Sequence, residues 1–553
     1  MKNFIKSLYV KMLNVYILIF IIKILEKLKR IKIFFIKNKK ENSLNIEKFC
    51  KFVKYKLSSK NFNNEKFILM DCCNIPSYVI TNLILCKELR RLMKANVITY
   101  DIYKRETTME KIMFSYNSLH ILIQLNNDHE KECLNYFKKI FLKLKNKKDL
   151  FDLKVKNIPI GIDIYETILK NRNPTIKFGS LEMYEKIYMA LQYFVFFQDL
   201  FIKKKIVCLC LSDNAYINTG IITRLAYKHS VPVFHANPME INRTEKNFQL
   251  HNRFNRYKIY FRNLSKKKQK TAILKSKKLI KARLSGQTKV KMFYQEKSAF
   301  THKIIDRQLS NSKKNKIIIT THCFFDNPSA YGGMLFKDFY EWLVFIGQQT
   351  KKLDYEIYIK PHRDYLPGTI ETLKKIETKF PKLKVINSEV SFHQLKKEGA
   401  SVILTVYGSV GHELPLMDFL VINAGYNPHY NYSFNIHPKN LTEYKKILKN
   451  INNYKSKKNL NEIYEFFYVH YILNHNDKFF FNSTEKYMKY INYKLKSSKC
   501  YNFFLRNSKT YIERYRKHIK DSIKSNRCFS VEKNLKASLQ QKLKKNNLSY
   551  LLK

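Results

Sequence analysis

Two short apolar runs, each ending in a polar turn, constrain this chain more than any other feature. EIYIKPHRD (Glu356 to Asp364) and SVILTVYGSVGHELPLMDFLVINAG (Ser401 to Gly425) both read as a buried strand that delivers the chain to a helix start. Short apolar runs alternating with longer segments of helical periodicity predict a parallel sheet with crossover helices. In such a sheet, ligands gather at the carboxyl ends of the strands, where turns and helix N-termini offer N–H groups to anions.

The same alternation extends in both directions. In the C-terminal half, strands are expected at 316–321, 355–360, 383–387, 401–406 and 419–424. Helices are expected at 336–351, 368–379, 391–397, 411–417 and 441–450. In the N-terminal half, strands are expected at 67–71, 96–101 and 120–125, with helices at 75–94 and 129–144. A further unit has a strand at 206–211, a turn at Ser212-Asp213-Asn214, a helix at 217–229 and a strand at 231–235. The lysine-rich stretch 265–291, with a helical pattern at 272–282, reads as a linker between the two halves. The fold class is therefore α/β, with two Rossmann-like domains, and basic helical extensions at both ends. The expected division is 1–60 for a basic N-terminal segment, 61–295 and 296–483 for the two domains, and 484–553 for a basic tail.

Charge complicates that picture. With 104 Lys+Arg against 44 Asp+Glu, the formal net charge is +60. Such an excess points to nucleic acid or an anionic membrane. Codon bias towards A/T produces the same Lys-, Asn- and Ile-rich profile with few Gly, Pro and Trp. The basic residues are mostly lysines spread along the chain rather than organised Arg and aromatic surfaces, which argues against nucleic acid. The run LYVKMLNVYILIFIIKIL (Leu8 to Leu25), interrupted by Lys11 and Lys23, is followed by LEKLKRIKIFFIKNKK. It suits a basic amphipathic helix on an anionic inner leaflet. A transmembrane anchor and an ordinary helix packed on the protein body remain open. Ten scattered cysteines form no CxxC pair, which suggests reduced thiols in a cytoplasmic protein and no metal site.

The candidate site residues follow from the strand ends. In VYGSVGHE, Gly408 and Gly411 permit close backbone approach, Ser409 is placed to cap the helix, and Glu413 to meet a ribose. In IKPH, His362 stands past the strand end, either donating to a phosphate or serving as a structural residue. The loop THCFFDNPSAYGGMLF brings His322 and Asp326 as candidates for substrate contact, a plain surface loop being the alternative. Asp213 is placed to act as a general base or as a helix cap.

These segments resemble a family. HCFFDNPSAYGGMLFKDFYEWL (His322 to Leu343), IKPH, YGSVGHELP, IGIDIYETILKNRNPTI (Ile160 to Ile176) and SDNAYINTGIITRLA (Ser212 to Ala226) resemble bacterial capsular or surface polysaccharide biosynthesis glycosyltransferases. Those enzymes have the GT-B arrangement, two Rossmann-like domains facing a cleft. Relatives include Kdo and sialic acid transferases and CDP-glycerol glycerophosphotransferases. The resemblance spans about 155 to 450. It implies a metal-independent transferase without cofactor, a nucleotide-sugar donor, and a polysaccharide or lipid-linked acceptor. It also implies a place on the inner membrane surface, beside other polysaccharide-synthesis enzymes. Carried onto this chain, Asp213, His322 and Asp326 are the catalytic candidates. Lys360, His362, Arg363, Gly408, Ser409, Val410, Gly411 and Glu413 are the donor-binding candidates. The family's His-Pro pair is His362-Arg363 here, and its Ser-rich turn is matched only by Ser409. A CDP-polyol phosphotransferase, a non-catalytic scaffold and a nucleic-acid-binding protein stand as alternatives.

Overall fold

The structure is a computed structural model that describes residues 13–29, 43–58, 61–72, 75–101, 107–236, 241–246, 254–288, 297–350, 353–456 and 458–473, with scattered positions from 500 to 516. The lysine cluster of 30–42, Cys73, Cys528 and nearly all of the expected basic tail lie outside the described residues. The chain divides into two compact units. The first comprises Met1–Ile168, Lys177–Gln249 and Asn476–Lys553, and the second Leu169–Ile176 and Leu250–His475.

In the first unit the strands are β1 (Lys66–Asp71), β2 (Asn96–Asp101), β3 (Leu119–Leu122), β4 (Lys205–Leu211), β5 (Val233–Ala236) and β6 (Ile241–Thr244). Their order is β3-β2-β1-β4-β5-β6, parallel throughout except for β6 against β5. Ile68, Leu69 and Met70 of β1 are all buried, as expected for a central strand covered on both faces. Crossovers include α1 (Pro76–Met93), α2 (Thr107–Tyr116), α3 (Asn127–Lys143), α4 (Gly161–Lys170), α5 (Leu181–Lys203) and α6 (Ile221–Lys228). Proline at the first turn of α1 costs no hydrogen bond. The long helix α5 went unread in the strand–helix alternation. Its buried Met183, Ile187, Leu191, Phe194 and Phe201 recur at helical spacing.

The hydrophobic N-terminal segment is a helix over 13–29 that lies on this unit. Val15, Ile19 and Ile22 are buried. Lys23 pairs with Glu130 of α3 at 2.8 Å, Lys29 pairs with Glu185 of α5, and Lys138 of α3 sits 4.4 Å from the Tyr16 ring centre. Among the described residues, no helix is long and apolar enough to cross a membrane.

The second unit holds α7 (Tyr257–Arg262), α8 (Lys266–Leu284), β7 (Lys316–Thr320), α9 (Phe339–Thr350), β8 (Glu356–Lys360) and α10 (Thr369–Lys379). It continues with β9 (Leu383–Val385), α11 (Phe392–Lys397), β10 (Ala400–Thr405), α12 (Val410–Glu413), β11 (Leu420–Asn423), α13 (Leu441–Lys449) and α14 (Leu460–Phe467). The wholly parallel sheet has the order β9-β8-β7-β10-β11. Both units thus share the 3-2-1-4-5 order of a doubly wound fold. In β7, Ile317 and Ile319 face one buried cluster with Trp342 and Leu404, and Ile318 faces the other with Phe392 and Ile403. Both sheet faces are covered, so the central strands are apolar at consecutive interior positions rather than at alternate ones.

One expectation is corrected here. The lysine-rich stretch read as a linker, which placed the domain division at 295, is helix α8 within the second unit, and the division falls at Gln249–Leu250. Ala272, Ser276, Leu279, Ile280 and Arg283 form a buried stripe, while the lysines point outward. The Ser276 hydroxyl donates to the Tyr464 carbonyl at 2.8 Å. The short piece Leu169–Ile176 also belongs here. Thr175 donates to the buried Asp338 at 2.7 Å, and Arg172 lies 5.3 Å from the Phe325 ring centre.

Ile403 is fully buried at the centre of β10. Replacing it with alanine is expected to destabilise the second unit by roughly 2–5 kcal/mol, measured by denaturant unfolding.

Candidate functional site

The order of the second sheet fixes where its cavity lies. Strand β7 pairs with β8 on one edge and β10 on the other, so the loops that follow β7 and β10 leave in opposite directions and part at the carboxyl edge. A cavity of about 460 Å³ opens there, lined from three strand ends. Thr321, His322, Cys323 and Asp326 come from the loop after β7, and Pro361, His362 and Arg363 from the turn after β8. Tyr407, Gly408 and Ser409 come from the loop after β10, with Phe300 and Phe392 on the apolar side.

Two cations are built into its wall. Lys360, the last residue of β8, is 4% exposed, and its ammonium donates to the Ser388 carbonyl at 2.8 Å. Burial, with Arg363 close by, pulls its pKa down to about 7. Arg363 is 8% exposed; its guanidinium donates to the Glu389 carbonyl, and to the Thr301 hydroxyl at 3.4 Å, while its Nε has no partner. Burial lowers its pKa as well, with Glu389 and Asp364 opposing. The half-exposed Glu389 carboxylate lies 3.9 Å from Arg363 Nη1, a long and partial pairing, and a buried cation is costly unless an anion completes it.

The histidines face the same space. His362 accepts from the Asp364 backbone N–H at 3.0 Å, and its surroundings lower its pKa, with Asp364 opposing. His322 packs on Tyr407 and Phe339, with ring centres 4.3 and 5.0 Å away. Its Nδ1 is buried without a partner, and desolvation lowers its pKa despite Asp326. Asp326 also lines the cavity and accepts from the Asn327 N–H at 2.9 Å.

The YGSVGHE turn has different roles from those expected. Gly408 has φ +149°, a conformation that favours glycine. Ser409 sits at the N-cap in helical conformation and makes no side-chain cap bond. Helix α12 is a single turn, followed by a tighter turn over Leu414–Met417, so its dipole is small. The N–H groups of Gly411, His412 and Glu413 already bond to Gly408 and Ser409 carbonyls. Gly411 makes room for a side chain instead: a Cβ there would lie 2.4 Å from the His429 ring. Val410 and Glu413 border the cavity, but the Glu413 carboxylate is ion-paired with Arg283 of α8, both side chains being 2% exposed. Glu413 thus holds the turn onto α8.

Behind this turn lies a group of buried histidines that motif reading missed. His412 meets Tyr471 OH at 2.6 Å, and its Nδ1 lies 3.5 Å from that of His429. Burial holds His412 and His429 well below the ordinary histidine pKa, with neighbouring imidazoles adding to it, and brings His437 to about 4. Among the described residues, no cluster of these types has the geometry to hold a metal ion.

In the first unit, Asp213 follows β4 and accepts from the Asn214 N–H at 2.7 Å; the turn that follows starts from Ala215 without a side-chain cap. The structure therefore does not give Asp213 the helix-capping role. Beside it, at the switch point between β1 and β4, the buried Asp71 accepts from Asn82 Nδ2 and the Ser212 N–H, each at 3.1 Å. The other site candidates all lie in the second unit.

No protein-family model and no curated protein sequence matches the chain. Solved structures give distant likenesses. The beta Kdo 2,4 transferase KpsC of Thermosulfurimonas dismutans is 13% identical with a TM-score of 0.29, over 47% of this chain and 79% of that one. A glycosyltransferase from Rickettsia africae is 11% identical with a TM-score of 0.20, over 89% and 99%. MurG of Acinetobacter baumannii is 9% identical with a TM-score of 0.22, over 74% and 95%. TM-scores this low carry no weight for fold or activity.

Two outcomes are expected. Glu413→Ala leaves Arg283 charged and buried, and is expected to cost about 3–5 kcal/mol in urea unfolding, whereas Arg283→Met with Glu413→Leu recovers most of that. The buried histidines stay neutral in the fold but take up protons in the unfolded chain below about pH 6.5. The unfolded state then binds more protons, so stability falls as pH drops from there towards about 4, the pKa of His437. Thermal melts across that range check it.

Proposed function

We propose that the chain is a glycosyltransferase, with the second unit binding a nucleotide-activated sugar at its carboxyl-edge cavity. The observation that carries this reading is the pair of buried cations, Lys360 and Arg363, set in the wall of a cavity at the switch point of a parallel sheet. A structural lysine has no need to be buried beside a second cation. An anion between them offsets the desolvation of both.

Transfer of a sugar breaks the bond between its anomeric carbon and a phosphate oxygen, and negative charge grows on the departing phosphate. Fixed cations and hydrogen-bond donors stabilise that charge, each worth roughly 10²–10³ in rate where such donors have been removed. Lys360 gains a proton as the phosphate arrives, Arg363 is permanently charged, and His362 and the Ser409 hydroxyl are placed to donate beside them. Asp326 and His322 line the same cavity and are assigned to the sugar. The first unit is assigned the acceptor, a polysaccharide or lipid-linked glycan, with Asp213 taking the proton of its hydroxyl.

Lys360 supplies the sharpest test. Its free-state pKa is about 7, so above that pH a nucleotide diphosphate must bring a proton with it. Affinity is expected to weaken as pH rises from 7, and calorimetry at pH 8 in buffers of different ionisation enthalpy is expected to register proton uptake. Lys360→Met is expected to lose about tenfold or more in nucleotide affinity and all of the uptake. Equal affinity in the variant, or no uptake in the parent, contradicts the assignment. Asp213→Asn is expected to slow turnover at unchanged nucleotide affinity. A donor panel in which only a CDP-polyol is consumed replaces sugar transfer with polyol-phosphate transfer.

A further inference from the structure

The N-terminal helix over 13–29 is apolar on both sides, and only one side is covered. Val15 and Ile22 are 0% exposed against the first unit, whereas Phe20 is 66% exposed. Leu13, Ile17, Phe20, Ile21, Ile24 and Leu28 are all open to solvent. At 3.6 residues per turn these six fall within an arc of about 100°, a continuous ridge along the helix. Soluble surfaces rarely leave such a ridge open without a partner.

We propose that this ridge is a docking surface for an anionic lipid bilayer. It adds a location to the donor reading without depending on it. Charge decides between occupants. By helical geometry Lys27 lies at one edge of the ridge and is exposed, with Lys23 further round towards Glu130. The first forty residues carry ten lysines and Arg30 against the single acid Glu26. A second copy of this chain would bring the same lysine edge and a formal charge of +60 against its twin. An anionic bilayer accepts both features: apolar side chains enter the headgroup–acyl boundary while lysines meet lipid phosphates. The ion pairs to Glu130 and Glu185 hold the covered side on the protein, which suits a helix lying in the interface.

Co-flotation of the full chain with phosphatidylcholine vesicles, with and without phosphatidylglycerol, tests this. The parent is expected to float with the anionic vesicles and only weakly with the neutral ones. Phe20→Ser with Ile24→Ser is expected to lose about tenfold or more in vesicle affinity while keeping the same melting profile and nucleotide affinity. Tryptophan emission of a Phe20→Trp variant, whose one other tryptophan is the buried Trp342, is expected to shift to the blue when anionic vesicles are added. Absent flotation, unchanged binding of the double-serine variant, or no emission shift overturns the proposal. So does a stable dimer of the parent, seen by light scattering, that the variant dissolves, since the ridge then belongs to a second copy.

Discussion

Much of the second unit depends on one pairing pattern, β7 held between β8 and β10. Successive crossovers leave the sheet on opposite faces at that point, so the chain cannot close over the carboxyl ends of these strands. The cavity is a consequence of strand order. Side chains at the three strand ends then face a common space whatever their identity. What distinguishes this chain is what it puts there: a lysine and an arginine, both buried, two histidines and a turn through Gly408 at positive φ.

Those groups are held by backbone more than by side chains. Lys360 and Arg363 donate to the carbonyls of Ser388 and Glu389, which aim their charge, while the half-exposed Glu389 carboxylate, 3.9 Å from Arg363, offsets it only in part. The turn after β10 is fixed from behind, by Arg283 on Glu413 and by the His429 ring against Gly411. A buried ion pair is a poor source of stability but a strict positional constraint. Helix α8 therefore supports the cavity from a part of the chain far away in sequence.

The sheets were legible because both of their faces are covered. Strands such as KIIIT and EIYIK have three consecutive apolar residues at their centre, and every strand expected in the second unit is present within a residue or two. In α8 the helical pattern at 272–282 is legible but its place in the second unit is not, because its lysines outnumber its buried stripe and a polar helix and a linker share a composition. The grouping of His322, Asp326, Lys360, His362 and Ser409 was readable from strand-end position alone. The roles of Glu413, Gly411 and the Ser409 cap were not. They depend on Arg283, on His429 and on a one-turn helix, none of which leaves a local mark in the sequence. The carbonyls of Ser388 and Glu389 were invisible for a simpler reason: a backbone acceptor carries no residue signature.

The central claim is that a nucleotide-activated donor occupies the carboxyl edge of the second sheet. Amide hydrogen exchange with and without saturating nucleotide measures this directly. The account predicts slowed exchange in three separate segments, 321–326, 361–366 and 406–411, where the loops after β7, β8 and β10 meet at the cavity. Exchange unchanged in all three, or protection confined to other parts of the chain, would contradict it.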